Sequence, residues 1–240
     1  MKPAVASHLF REWKTERNSV LHKTRGIVFR FVRYGETSII TSIFTEQFGL
    51  QSYMVKGVRT SSRKSRIALF QPLTLLDMVV YHKESGGIMY IKEVKCFHPY
   101  QFINADVRKT AIAMFINEVL NKSVKEQSHV QHIFNFISDS LIRLDILERP
   151  ENFHLQFLIG LSKHLGFGPN LASEVLGGRM ISEEEEGALQ KMLLQEYRID
   201  IPLSYEQRQN ILTALLRFYQ AHSEGFGEMK SVMVLKEVLR

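Results

Sequence analysis

The sequence predicts an α+β protein in which a small five-stranded β-barrel precedes an all-helical region. Three observations carry that expectation. Between residues 24 and 98, short β-rich runs alternate with turns, most of which contain glycine. No helical pattern interrupts them, which argues for a closed barrel and against βαβ units. From Asn104 onward, apolar residues recur with the period of a helix.

The first run is TRGIVFRFVR, and SIITSIFT follows it after Tyr34-Gly35-Glu36. LQSYMVK comes after Phe48-Gly49, LTLLDMVVYH after a basic stretch, and IMYIKEVKCF after Ser85-Gly86-Gly87. Five strands are therefore expected within residues 22–99. In the second run, Ile39, Thr41, Ile43 and Thr45 set the register, because a slip of one residue turns the apolar side outward. In the helical region, Val130, Ile133, Phe134, Ile137, Leu141 and Leu144 keep one helix face apolar. The segment from Phe153 to Leu165 is apolar nearly all round and reads as the buried central helix. Pro150 stands near its start, where a missing N–H does no harm. Ser182 with Glu185 and Ser204 with Gln207 have the spacing of capping boxes. Met229 to Leu239 reads as a closing amphipathic helix. There is no internal repeat and no low-complexity linker.

Composition narrows the function. Of 240 residues, 45% are hydrophobic and 23% charged, as in ordinary globular proteins. No run of about 18 apolar residues is present, and residues 1–20 lack the apolar core of a secretory signal. The single cysteine, Cys96, rules out an intramolecular disulfide. A cytoplasmic protein with a reduced thiol is expected. The net charge of +6 is unevenly spread. Residues 1–100 hold 16 Lys and Arg against 7 Asp and Glu, whereas residues 101–240 hold 15 against 18. A basic first half implies a polyanion-facing surface, whether nucleic acid or an anionic membrane, or else a solvated face.

Motifs of catalysis are absent: no Walker loop, G-x-G-x-x-G, G-x-S-x-G or H-E-x-x-H occurs. His129 and His132 are three apart on a predicted helix but lack further ligands, so they read as surface histidines. Cys96 reads as a small buried hydrophobe. The acids Glu183 to Glu186 suit the first turn of a helix, where its dipole favours negative charge. No catalytic residue, metal site or cofactor is expected.

The stretch KGVRTSSRKSR, residues 56–66, carries five cations and no acid. It repels itself and is expected to take no part in a core. Lys23, Arg25, Arg30 and Arg33 lie on or beside the first strand run. Together with Lys56, Arg59, Arg63, Lys64 and Arg66 they are candidates for one continuous positive groove. Phe31, Tyr34 and Tyr53 stand near these charges as candidate platforms for unpaired bases. The competing reading is a solvated loop beside aromatics that belong to the core.

The stretch TRGIVFRFVRYGETSIITSIFTEQFG resembles the amino-terminal signature of the RecO family of DNA-repair proteins. The matching positions are Tyr34-Gly35-Glu36, then Phe44-Thr45 with Gly49. Lys56-Gly57-Val58-Arg59 matches the family's K-G-x-R, and Phe70-Gln71-Pro72 matches its L/F-Q-P. LIGLSKHLGFGPN resembles the end of a family helix, and the closing LLRFYQAHSEGFGEMKSVMVLKEVL resembles the terminal helix pair. The resemblance spans roughly residues 21–240. It implies an amino-terminal OB-fold barrel at residues 21–100 and a helical domain at 101–240. It also implies a recombination mediator that binds single- and double-stranded DNA and anneals complementary strands. The implied partners are RecR and the acidic carboxy-terminal tail of single-stranded-DNA-binding protein, with RecA loaded as the result. Arg143, Arg149 and Lys163 are candidate cations for that tail. A cytoplasmic protein at the nucleoid follows, and the alternative is an adaptor that recruits acidic partners and touches DNA weakly. Many family members carry two cysteine pairs that hold zinc, but LASEVLGGRMISEEEE has none, so no zinc is expected. Residues 1–20 lie outside the resemblance and read as an extension, with the native start expected downstream.

Overall fold

The computed structural model describes residues 20–58, 66–125, 129–178, 181–195 and 201–240. The chain divides into two compact units at Pro99/Tyr100. The first contains β1 (Val20–Tyr34), β2 (Ser38–Thr45), β3 (Gly49–Val55), β4 (Leu75–His82) and β5 (Ile88–Cys96), with a 3-10 turn at Ile67–Phe70. These strands close into a barrel in the order β1-β2-β3-β5-β4, the arrangement of an OB fold. All pairs are antiparallel except β3 with β5.

Local chemistry sets the turns. Gly35, between β1 and β2, has φ 59°, a left-handed conformation that glycine adopts without a steric penalty. At the next turn the Thr45 hydroxyl donates to the Gly49 carbonyl at 2.9 Å and accepts from the Phe48 N–H at 3.0 Å. Ile39, Thr41, Ile43 and Thr45 are all buried, as their alternation requires. The barrel core joins Val28, Ile39, Ile43, Tyr53, Leu76, Met78, Val80 and Met89. Cys96, expected to be buried, is only half-buried at the end of β5.

The second unit comprises α1 (Val107–Ser123), α2 (Val130–Ile146), α3 (Phe153–His164), α4 (Ala172–Leu176), α5 (Glu183–Leu194), α6 (Tyr205–His222) and α7 (Ser231–Val238). The buried face of α2 includes Ile133, Phe134, Ile137, Leu141 and Leu144, and α3 is buried along most of its length. Both capping boxes form, at Ser182/Glu185 and Ser204/Gln207. Glu185 also accepts from the Asn210 amide at 2.7 Å, which ties α5 to α6. The run leading into α1 is held from a distance. The buried Asp145 carboxylate accepts the N–H groups of Gln101, Phe102 and Ile103 at 2.8–2.9 Å. Asp106 caps α1 itself, and hydrogen bonds from Arg108 hold its carboxyl down to about 2. No helix among the described residues is long and apolar enough to cross a membrane.

His154, on α3, is fully buried with neither ring nitrogen in a hydrogen bond of good geometry. Burial, with the nearby Arg208 cation, pushes its pKa from 6.5 down to about 3, against a minor opposing effect of the Glu151 backbone. The folded state therefore binds the proton less well than the unfolded chain. The associated stability is complete above pH 6.5 and is lost as the pH falls towards 3. Between those limits this group contributes a loss of at most about 1.4 kcal/mol per pH unit. Urea unfolding of wild type and His154→Leu from pH 7 to 4 should show the flatter profile in the variant.

Candidate nucleic-acid interface

The position of each basic side chain follows from how β1 is used. Its first half, Val20–Ile27, pairs with β4, and its second half, Gly26–Tyr34, pairs with β2. The register shifts between Val28 and Arg30, leaving Phe29 as the extra residue of a bulge. Val28 and Phe31 pack on the core on either side of that bulge. Strand alternation then turns Lys23 and Arg25 outward in the half paired with β4, and Arg30 outward in the half paired with β2. Arg33 lies on the Phe31 side of the strand, beyond it, and is exposed.

Lys23 and Arg25 border a hollow of about 520 Å³ together with Glu46, Asp77, Glu93 and Lys95. Arg25 grips the Glu46 carboxylate through two bonds of 3.0 and 2.7 Å and lies over the Phe97 ring. Lys95 pairs with Asp77 at 3.3 Å. Charges balance on this side, so among the described residues Lys23 and Arg25 stand in a mixed-charge hollow and not on a uniformly positive face. Glu46, distant in sequence, has been brought against Arg25, and Lys23 shares the hollow with Asp77 and Glu93.

The other outer face is different. Val32 pairs with Ile40, Ile40 with Met54 and Met54 with Tyr90, giving one row across β1, β2, β3 and β5. Arg30, Ser42, Ser52 and Ile88 form the adjacent row, with Arg30 Nε 3.5 Å from the Ser42 hydroxyl. Val32 is 57%, Tyr34 52% and Ile88 44% exposed, an unusual apolar surface for a strand exterior. The Lys56 ammonium stands 5.6 Å from the centre of the Tyr90 ring. Tyr53, expected in this site, is instead wholly buried. It points inward from β3, its hydroxyl has no partner, and burial pushes its phenol pKa up. Met54 takes the outward place beside it. The aromatic that reaches this surface across the β3–β5 pairing is Tyr90, which local sequence did not single out.

The basic stretch is anchored in the core near its start and is followed by a core residue. Val58 is buried, and its N–H donates to the Thr37 carbonyl at 3.0 Å. Phe70, just past Arg66, is fully buried. The expectation that this stretch takes no part in the core is thus corrected at Val58. Lys56 and Arg66 are exposed, while Arg59, Arg63 and Lys64 lie outside the described residues.

In the helical unit, Arg143 lines a groove of about 550 Å³ with His132, Phe136, Asp139, Ile146 and His164. Phe136 stacks on Phe157, and a Cβ on Gly160 would lie only 2.6 Å from its ring, so the glycine makes room for it. Arg149 is exposed but outside that lining. Lys163, expected at the rim, is directed away and donates to the Leu193 carbonyl at 2.9 Å, at the end of α5. Among the described residues, no three His, Cys, Asp or Glu side chains are grouped to hold a metal. Where zinc ligands would be sought, the chain has no thiolate. The Gln190 side chain instead accepts from Ala172 N–H at 2.8 Å and donates to the Asn170 carbonyl. That donor set does not fit a structural zinc site.

A five-stranded OB-type barrel with an exposed apolar and cationic face, followed by a helical unit, defines the class. Within it, the family description "Recombination protein O N terminal" matches residues 19–100, and "Recombination protein O C terminal" matches residues 104–191. A protein named DNA repair protein RecO from Flavobacterium johnsoniae is 34% identical over 232 residues, covering 90% of this chain and 98% of that protein. Its namesake from Flavobacterium psychrophilum is 34% identical over 235 residues, with the same coverage. The Bacteroides fragilis protein of that name is 30% identical over 240 residues, covering 91% and 99%. The chain belongs to the RecO family of DNA repair and recombination proteins.

The two kinds of tyrosine have opposite expectations. Tyr34→Ala and Tyr90→Ala should each weaken binding of a single-stranded oligonucleotide by about 1–3 kcal/mol, if each ring stacks on a base. Tyr53→Phe should leave that affinity unchanged and keep or raise the melting temperature, because it removes a buried hydroxyl without a partner. Fluorescence anisotropy and thermal melts of the three variants test this.

Proposed function

We propose that the protein is a recombination mediator that holds single-stranded DNA across the outer face of β1, β2, β3 and β5. The observation that carries this reading is the exposed set Arg30, Val32, Tyr34 and Ile88, with the half-buried Tyr90 beside it, on an OB-type barrel of this family. Tyr34 and Tyr90 offer ring faces to bases, while Arg30, Arg33, Lys56, Arg59, Arg63, Lys64 and Arg66 neutralise phosphates. The face carries hydroxyl, thioether and aliphatic groups and few donors that read base edges, so binding is insensitive to sequence. Double-stranded DNA engages the same cations through its phosphates. Complementary strands anneal because the basic stretch screens their repulsion, and no chemical step is catalysed. The protein works in the cytoplasm at the nucleoid, with RecR and single-stranded-DNA-binding protein, to load RecA. An adaptor that only recruits partners would not accelerate annealing of bare strands.

The phosphate role has a salt signature. Each lost phosphate contact flattens the log–log salt slope for single strands by about 0.7. Replacing Arg63, Lys64 and Arg66 by Ala should lower the slope by up to about 2, slow annealing and leave the melting curve unchanged. A slope equal to that of wild type would remove the stretch from the interface.

The acidic, apolar-ended tail of single-stranded-DNA-binding protein fits the α2–α3 groove, where Phe136 and Ile146 offer apolar surface and Arg143 a cation. Asp139 in the same lining limits that positive potential, so affinity depends strongly on Arg143. Calorimetric titration of the full chain with the tail peptide should show binding that Arg143→Glu abolishes. DNA affinity should be unaffected in that variant.

A further inference from the structure

Lys56 and Tyr90 occupy each other in the free protein. The ammonium stands over the ring, 5.6 Å from its centre, although the ring offers a platform for a base and the ammonium a charge for a phosphate. We propose that Lys56 is a placeholder that covers the Tyr90 face until a base displaces it, whereupon the ammonium passes to the DNA backbone. The inference rests on the reading of this face as a single-strand site.

The backbone on both sides of Lys56 is fixed. Met54, two residues before it, is paired with Tyr90 across the β3–β5 ladder. Val58, two residues after it, is buried and bonded to Thr37. Between them Gly57 has φ 69°, which turns the chain where β3 ends. Exchange therefore needs rotation of the flexible lysine stem and leaves the backbone of the barrel undisturbed.

The magnitudes favour the exchange. An exposed cation–π contact biases a population by about two- to fivefold, whereas stacking a base on an aromatic ring is worth about five- to 150-fold. A base therefore wins the ring, and the released ammonium is a compact point charge that suits a phosphate without demanding a fixed geometry. The contact also shields an aromatic ring from water while no DNA is bound.

Two opposing effects of one side chain make a distinctive test. The full chain and its Lys56→Ala variant are titrated with a short oligothymidylate at salt concentrations up to about 1 M, where the phosphate contribution fades. The variant should have a slope lower by about 0.7. Its line should cross that of wild type, binding more weakly at low salt and about two- to fivefold more tightly at high salt. In a Tyr90→Leu background the same lysine change should flatten the slope without any crossing. In a Tyr90→Phe background, where the ring is kept, the crossing should return. Lines that converge without crossing would make Lys56 an ordinary phosphate contact, and superimposed lines would make it a solvated lysine. Either result overturns the exchange while leaving the single-strand site intact. No binding by the wild-type chain would overturn the site and the exchange together.

Discussion

Closure of the barrel through a single strand is the constraint on which the first unit depends. β1 must pair with β4 by one half and with β2 by the other, and it is long enough, at fifteen residues, to do both. A continuous register cannot serve both partners while keeping apolar residues inside. The bulge at Phe29 resolves the conflict by resetting the alternation, so that Val28 and Phe31 both pack on the core. Leu73 completes the arrangement. Its N–H donates to the Val28 carbonyl at 2.6 Å, and Val28 in turn donates to Thr74 at 3.1 Å. Leu73 is one of two non-glycine residues with positive φ among those described, at 66°. A conformation that L residues rarely adopt is held there because both hydrogen bonds and burial of the side chain depend on it.

The same bulge divides the cations. Before it, Arg25 binds Glu46 and Lys23 lines a hollow shared with Asp77 and Glu93; after it, Arg30 lies beside Ser42 and exposed apolar groups. A carboxylate close to a cation lowers the potential that a phosphate would feel, so the second half of β1 is the better place for a polyanion. The basic stretch starts beside this second half because Val58 is bonded to the turn between β1 and β2.

The helical unit solves a different problem by a related device. Two segments that enter helices are held by carboxylates from distant parts of the chain. Asp145 receives three N–H groups ahead of α1, and Glu118 receives those of Lys230 and Ser231, together with the Ser231 hydroxyl, at the start of α7. Burial alone raises the Glu118 pKa, but the donors from Ser231 and Lys230 outweigh it and hold the carboxyl below its ordinary range. Lysines do the converse for carbonyls. Lys122 donates to Phe226 and Glu228, and Lys125 to Glu224, which fastens the loop between α6 and α7 to the end of α1. Backbone groups that the local sequence leaves without partners are satisfied by charge-assisted bonds across the unit.

Patterns of short range were legible in the amino acids alone. Alternation placed the five strands, the helical period placed the buried face of α2, and the serine–glutamate and serine–glutamine spacings marked two helix starts, because each depends on neighbours within four residues. The family match rested on turn chemistry of the same range, as at Gly35, Thr45 and Gly57. What fell outside that range was pairing. Nothing near Arg25 announces Glu46, nothing near Lys56 announces Tyr90, and nothing in QSYMV tells whether Tyr53 or Met54 points outward until β3 has a partner on each side. A lysine such as Lys163 looks like a free surface cation until the end of α5 arrives beside it. Which charges remain available to a ligand is a property of the assembled surface, since a cation's potential depends on carboxylates within a few ångströms in space and not in sequence.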